Sequence, residues 1–282
     1  MPAAVPTWEP AQYLRHAGHR ARPFVDLLAR VPELPPSSNF RSSGGGPDGD
    51  PPRIADLGCG PGNVTALLAD RWPTAHIVGY DSSPEMLDRA IAEHEGTTPG
   101  GGSLDFSYAD ARTWVPSEPC DLIISNATLQ WVPGHTRRFP DWIAGLAPGG
   151  TFAFQVPGNF DAPSHRLMRE LAHSARWKDR LADALRHDDA VLTPQAYLEH
   201  LTGLGCTAEV WETTYLHLLQ GEDPVLDWVK GTGLRPVLSE LGDDAEEFLT
   251  DYGTALREAY PATDHGTVFP FRRVFAVATK EA

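Results

Sequence analysis

Three carboxylates and three glycines carry the densest chemical content of this chain. Asp56 stands in the run Ala55-Asp56-Leu57-Gly58-Cys59-Gly60-Pro61-Gly62-Asn63, where glycines recur at alternate positions. Glycine reaches backbone angles closed to other residues and leaves no Cβ in a ligand's way. The turn lacks the Lys-Ser/Thr ending of a phosphate loop, and its glycine spacing departs from the G-x-G-x-x-G of dinucleotide sites. Asp56 would repel a pyrophosphate but suits a ligand that carries an ammonium group. Asp81, about 20 residues beyond the glycines, is placed to grip ribose hydroxyls. Asp110, in Ala109-Asp110-Ala111, can accept from an adenine amino group.

A second set of residues points to an anion. Arg272 and Arg273 follow Phe269-Pro270-Phe271, and Lys230 and Arg235 flank the turn Gly231-Thr232-Gly233-Leu234. Neighbouring strand residues face opposite ways, so at most one of Arg272 and Arg273 enters a given pocket. Asn126, Gln130 and Gln155 are neutral groups that can orient a carboxylate. Trp131 reads as core or pocket wall, and His135 and His165 as structural or surface histidines. No Ser-His-Asp or Cys-His set is evident, so no nucleophile or general base is assigned.

These residues meet only if the elements between them bring them together. From 53 to 157 apolar runs alternate with helical patterns, the mark of a parallel sheet. Strands are expected at 53–57, 76–81, 104–109, 121–125 and 151–156. Helices are expected at 63–71, from Ser83-Pro84 onward and at 136–146, with a turn at Pro148-Gly149-Gly150. In open parallel sheets ligands bind beyond the carboxyl ends of the strands, which is where Asp56, Asp81, Asp110 and Asn126 fall. Helical insertions at 158–200 and 222–259 flank a strand at 208–216, and a last strand covers 269–279. Residues 1–31 read as a helical lid whose Tyr13 and Arg22 face the ligand. The Gly/Pro-rich stretch 32–52 reads as a flexible segment too poor in apolar surface to order itself.

Composition narrows the classes. In 282 residues, 41% hydrophobic content supplies a real core, and the formal net charge is −15. That charge repels a polyanion such as DNA over most of the surface, so an anionic substrate needs a local cationic cluster. Cys59, Cys120 and Cys206 show neither metal nor disulfide spacing. No run is long enough to span a membrane, and no signal segment is evident. A cytoplasmic enzyme is expected, acting as a monomer on a small molecule, with no metal, nucleic acid or membrane partner.

The strand-tip set resembles the motifs of class I S-adenosyl-L-methionine (SAM) methyltransferases. That resemblance implies a Rossmann-like α/β fold with a seven-stranded, mostly parallel sheet in the order three-two-one-four-five-seven-six. Its last strand would be antiparallel, and helical cap insertions would surround it. It also implies that Asp56, Gly58, Gly60 and Gly62 hold the methionine end of SAM. Asp81, Ser82 and Met86 would meet ribose and adenine, Asp110 and Ala111 the adenine edge, and Asn126 would close the site. Further segments are similar to the trans-aconitate 2-methyltransferase family: Ser125-Asn126-Ala127-x-Leu129-Gln130-Trp131, Gln155-Val156-Pro157-Gly158-Asn159, Trp211-Glu212-Thr213, the 227–236 turn and Phe269-Pro270-Phe271-Arg272-Arg273. The activity implied is esterification of one carboxylate of a small polycarboxylate. Gln130, Trp131, Gln155, Lys230, Arg235, Arg272 and Arg273 would serve the substrate. Methylation of a carrier-bound malonyl group or a hydroxylated small molecule, nicotinamide-dependent redox chemistry and non-catalytic SAM binding remain as alternatives.

Overall fold

The computed structural model describes residues 17–34, 50–181, 184–185 and 190–281. Tyr13, the first part of the expected lid and most of the 32–52 segment lie outside the described residues. The chain divides into two compact units.

The larger unit comprises Arg20–Val156, Val191–Glu212 and Val274–Ala282. Its strands are β1 (Arg53–Leu57), β2 (His76–Asp81), β3 (Gly96–Thr97), β4 (Ser103–Tyr108), β5 (Cys120–Asn126) and β6 (Leu146–Pro157). β1 pairs in parallel with β2 and β5, β2 with β4, and β5 with β6. The sheet continues through β7 (Cys206–Leu219) and β9 (Gly266–Lys280), and the order is β3-β4-β2-β1-β5-β6-β9-β7. This is the expected order, enlarged by two-residue ribbons at β3 and at β8 (Ala262–Thr263), each antiparallel to its neighbour. β7 and β9 are also longer than expected, and their 213–219 and 266–273 portions belong to the second unit.

β5 is buried at all seven positions, so its polar residues require internal partners. The Asp121 carboxylate accepts the Arg53 N–H at 2.7 Å, and the Ser125 hydroxyl donates to the Leu57 carbonyl at 2.8 Å. These two bonds pin β5 to β1 and align their tips. Beneath the sheet Phe139, Trp142, Phe152, Phe154 and Tyr197 are fully buried, with Phe139 5.1 Å from Phe152 and Tyr197 5.0 Å from Phe154. Burial of each such ring contributes about 1.5–3 kcal/mol. His135 belongs to this core. Its Nε2 lies 2.8 Å from the Tyr197 hydroxyl, and burial pushes its pKa down to about 4.

Two local expectations are corrected. The helix expected from 63 starts only at Ala66 and ends at Arg71, with residues 63–65 in turns before it. The turn expected at 148–150 is absorbed into β6. There the register moves from Cys120↔Leu146 to Leu122↔Thr151, so residues 147–150 bulge opposite Asp121. Gly149 at φ +73° makes the bulge possible.

The smaller unit takes in Pro157–Ala190 and Thr213–Arg273. Its core gathers Trp228, Val229, Phe248, Tyr252, Phe269 and their neighbours. Helix Pro163–Ala172 is tied to Ala245–Ala259 and its end through two tyrosines. Tyr252 donates to the Ser164 carbonyl at 2.7 Å, and the Tyr260 hydroxyl accepts the Ser164 N–H at 3.0 Å. Among the described residues no helix is long and apolar enough to cross a membrane.

Candidate functional site

The glycine turn leaves β1 with Gly58, Gly60 and Gly62 at φ +78°, +56° and +80°. Only one of the three faces open space. A Cβ on Gly58 would come within 2.0 Å of the Thr128 hydroxyl oxygen, and one on Gly62 within 2.9 Å of the Phe106 ring, whereas nothing lies within 4 Å of a Cβ on Gly60. Gly58 and Gly62 are thus demanded by the protein's own packing, and Gly60 supplies the cradle a ligand would fill. The Tyr80 carbonyl accepts both the Gly58 and Cys59 N–H groups, at 2.7 and 3.0 Å.

Asp56 is fully buried at the end of β1. One carboxylate oxygen, Oδ2, accepts the Thr65 hydroxyl at 2.7 Å, and the other, Oδ1, has no hydrogen-bond partner among the described residues. Burial, reinforced by the nearby Asp81 charge, raises its pKa to about 7 against the opposing Thr65 bond. A buried carboxylate with an unused acceptor favours a cation. Asp81 is fastened on both oxygens: Oδ2 accepts the Gly60 N–H at 2.9 Å and Oδ1 the Ser83 N–H at 2.8 Å. It therefore locks the glycine turn to the helix Pro84–His94, whose N-cap Ser83 accepts the Met86 N–H. Burial still pushes the Asp81 pKa up. Ser82 is half-buried and Met86 buried.

Asp110 departs from the simple adenine acceptor. Arg112 engages both of its oxygens, with Nε at 2.8 Å from Oδ2 and 3.0 Å from Oδ1, and the Arg112 backbone N–H adds a further bond. The Arg112 side-chain bonds hold the Asp110 pKa below the usual carboxylate range. Ala111 lies between them, half-buried. Arg22 is exposed and sits 3.9 Å from Asp26.

The tip of β5 turns back on itself. Ala127 adopts φ +53°, a left-handed conformation that costs a non-glycine residue about 1–2 kcal/mol. Its N–H donates to the Gln155 carbonyl at 2.9 Å, and its own carbonyl accepts the Gln130 side-chain amide. Thr128 donates to the Gly58 or Asn126 carbonyl, at 3.2 and 3.3 Å. Gln155 Nε2 donates to Asn126 Oδ1 at 2.6 Å. Gln155 is fully buried, Gln130 nearly so, and Trp131 half-buried. Thr65, Ala127 and Thr128 are not legible as site residues in the sequence, because nothing in their local spacing marks them.

The cations of the smaller unit separate into two kinds. Lys230 lies 3.7 Å from Asp227, and Arg272 lies 3.5 Å from the exposed Asp161. Arg273 is 95% buried, its guanidinium 4.6 Å from the centre of the Phe271 ring. Strand alternation thus sends Arg273 inward and leaves Arg272 half-exposed. Arg235 opens the helix Arg235–Leu241. His165 lies against Phe160, with Asn159 Nδ2 at 3.3 Å and Ser164 Oγ at 3.2 Å from its Nδ1.

Comparison with known proteins fits this geometry. A family model described as a methyltransferase domain matches residues 54–150. A protein of Streptomyces avermitilis named trans-aconitate 2-methyltransferase is 75% identical over 283 residues, covering 100% of both chains. This chain belongs to the trans-aconitate 2-methyltransferase family. Relatives of the same name from Streptomyces coelicolor and Mycolicibacterium gilvum are 70% and 46% identical, covering 99% and 96% of this chain and 89% and 98% of their own. The fold is also that of solved structures. A chain in the complex between the Haloferax volcanii Trm112 methyltransferase activator and a methyltransferase gives a TM-score of 0.51 at 18% identity, over 97% of this chain and 95% of that one. The YcgJ protein of Bacillus subtilis gives 0.51 at 14% identity, over 94% and 99%. The family has the class I methyltransferase fold: a mostly parallel sheet with an antiparallel end strand.

Proposed function

We propose that this chain is a SAM-dependent O-methyltransferase that esterifies one carboxylate of trans-aconitate. The observation that carries the reading is Asp56: a fully buried carboxylate at the glycine turn with an unpartnered oxygen. A pyrophosphate would be repelled there, whereas the ammonium of a methionine moiety supplies the missing donor. Gly60, open where a Cβ would stand, lets such a ligand approach the backbone. When bound, SAM supplies an activated methyl group whose transfer to an anionic oxygen requires no proton movement.

What remains for the side chains is to bind and align. Asp56 meets the ammonium, Gly58 to Gly62 the carboxyl end, and Asp81 and Ser82 the ribose; Met86, Asp110 and Ala111 border the base. Asp110 serves the base through whichever lone pairs Arg112 leaves. A carboxylate substrate is already ionised at neutral pH, so orientation replaces general-base catalysis. Cations belong on the carboxylates that do not react, since a tight guanidinium fork on the attacking one would blunt it. Arg273 is the strongest candidate for that clamp, with Arg272, Lys230 and Arg235 as weaker contributors. Lys230 and Arg235 come from the 222–259 insertion, and Arg272 and Arg273 from β9. The protein acts as a cytoplasmic monomer on a small acid, and its −15 charge opposes nucleic acid and acidic carrier proteins.

Incubation of the protein with SAM and a panel of small acids tests this. The expected product is a monomethyl ester of trans-aconitate together with S-adenosylhomocysteine. Absence of ester from every tricarboxylate, or calorimetric binding of NAD in place of S-adenosylhomocysteine, would overturn it.

A further inference from the structure

The sequence marks Gln155 and Asn126 alike as ligand-binding amides, but the structure gives them different jobs. They are register partners on adjacent parallel strands, so their side chains fall on one face of the sheet. Gln155 is fully buried and spends its amide N–H on Asn126 Oδ1 at 2.6 Å, while its backbone carbonyl holds the left-handed Ala127. Asn126 has two kinds of hydrogen-bonding atom, one acceptor oxygen and one donor nitrogen. With the oxygen engaged by Gln155, the amide is fixed in one of its two orientations. The nitrogen, with its two N–H groups, is the end left for anything bound beyond β5.

The geometry points to Gln155 as a positioning residue. It keeps the Asn126 amino group, rather than the carbonyl, turned toward the site, and that N–H meets one oxygen of the reacting carboxylate. The inference rests on the carboxyl-methylation reading above. A single neutral donor suits that role, because it fixes the direction of the carboxylate without neutralising the charge that attacks, as an arginine would. The opposite amide orientation would set a carbonyl oxygen against an anion.

Gln155→Glu is the direct test, since it keeps size and shape. An ionised glutamate at this position offers only acceptors, so the Asn126 amide must reverse and present its oxygen. Once protonated, the introduced carboxyl can donate again and restore the original orientation. Asp56 on neighbouring β1 titrates in the wild type as well, and the Asp81 charge acts on both Asp56 and Cys59. The quantity to read is therefore the ratio of variant to wild-type kcat/KM at each pH. At pH 8 that ratio should fall about 100-fold, and it should recover at least fivefold as the pH drops to 6. Gln155→Leu should lose about tenfold with no such recovery. Affinity for S-adenosylhomocysteine, measured by calorimetry, should stay within threefold of wild type in both.

Asn126→Asp keeps the acceptor for Gln155 and removes the donor. It should lose activity as Gln155→Glu does at pH 8, and it provides the test if Gln155→Glu does not fold. The inference is overturned if Gln155→Glu tracks Gln155→Leu at every pH, if Asn126→Asp retains wild-type kcat/KM, or if cofactor affinity falls in parallel with activity. A wild-type protein that forms no ester from any polycarboxylate would instead defeat the underlying function, so the two failures are distinguishable.

Discussion

The larger and smaller units solve opposite electrostatic problems. At the tips of β1, β2 and β5 the polar groups are carboxylates, amides and backbone, and they are held mainly by one another. Asp81 accepts the Gly60 and Ser83 N–H groups, Asn126 is gripped by Gln155, and Asp56 keeps an unused oxygen. In the smaller unit the relevant groups are cations. Two of them sit beside their own acids, while Arg273 is sunk against an aromatic ring. The first region thus holds a buried acceptor oxygen without a partner among the described residues, and the second a buried guanidinium.

The comparison breaks most visibly at Arg273. Its loss should raise the KM for trans-aconitate by roughly 30-fold to 5,000-fold, the range for truncating a buried charge partner at about 2–5 kcal/mol. Arg272→Ala should cost only a few-fold, because an exposed pair is worth about 0–1 kcal/mol. Affinity for S-adenosylhomocysteine should be unchanged in both. Arg273→Lys, read together with thermal melting, separates loss of the charge from loss of packing. Equal effects of the two alanine variants would erase the distinction drawn between them.

The next largest effect should separate Gly58 from Gly60. Gly58→Ala drives a methyl group into Thr128, so it should lower the melting temperature markedly and abolish cofactor binding with it. Gly60→Ala meets no neighbour and costs only the left-handed strain of about 1–2 kcal/mol. Cofactor affinity should then fall by more than the melting temperature suggests. Calorimetry and melting on both variants decide.

A smaller effect is a pH dependence at Asp56. Its folded pKa of about 7 lies above the ordinary value of about 4. The stability it contributes without ligand is thus fully present below about pH 4 and is lost as pH rises toward 7. Asp56→Asn should flatten that slope and melt higher than wild type at pH 8. The cofactor's ammonium favours the ionised carboxylate, so wild-type affinity should fall as pH drops below about 7, with protons released on binding. Calorimetry in buffers of different ionisation enthalpy would reveal them, and a buffer-independent heat at pH 6.5 would contradict the assignment. The smallest effect is expected at Arg112→Ala. Releasing the half-buried Asp110 from its more exposed arginine should change cofactor affinity by no more than about threefold, as befits a surface pair.

Several of these distinctions are legible in the chain as a string of residues. The alternation of apolar runs locates β1, β2, β4, β5 and β6, and the two-and-two glycines mark the turn. Asp56, Asp81, Asp110 and Asn126 are recognisable as strand ends because a strand's end is a local property. The bulge at 147–150 is not, because a proline-glycine-glycine run reads as a turn until a neighbouring strand pairs on both sides of it. Nor is the roster of occupied atoms: Thr65 on Asp56, Arg112 on Asp110, Gln155 on Asn126 and Thr128 beside Gly58 depend on residues 2 to 70 positions apart.

The sequence by itself determined the order of the elements, the chemical types at each strand end and the acidic surface that demands a local cationic clamp. These follow from periodicity, composition and short-range backbone rules. Only the tertiary structure decided which lone pairs remain unused, which of two adjacent arginines is buried, and which glycine faces open space rather than protein. Those outcomes depend on desolvation and on hydrogen bonds between segments far apart in the chain, and no local pattern encodes them.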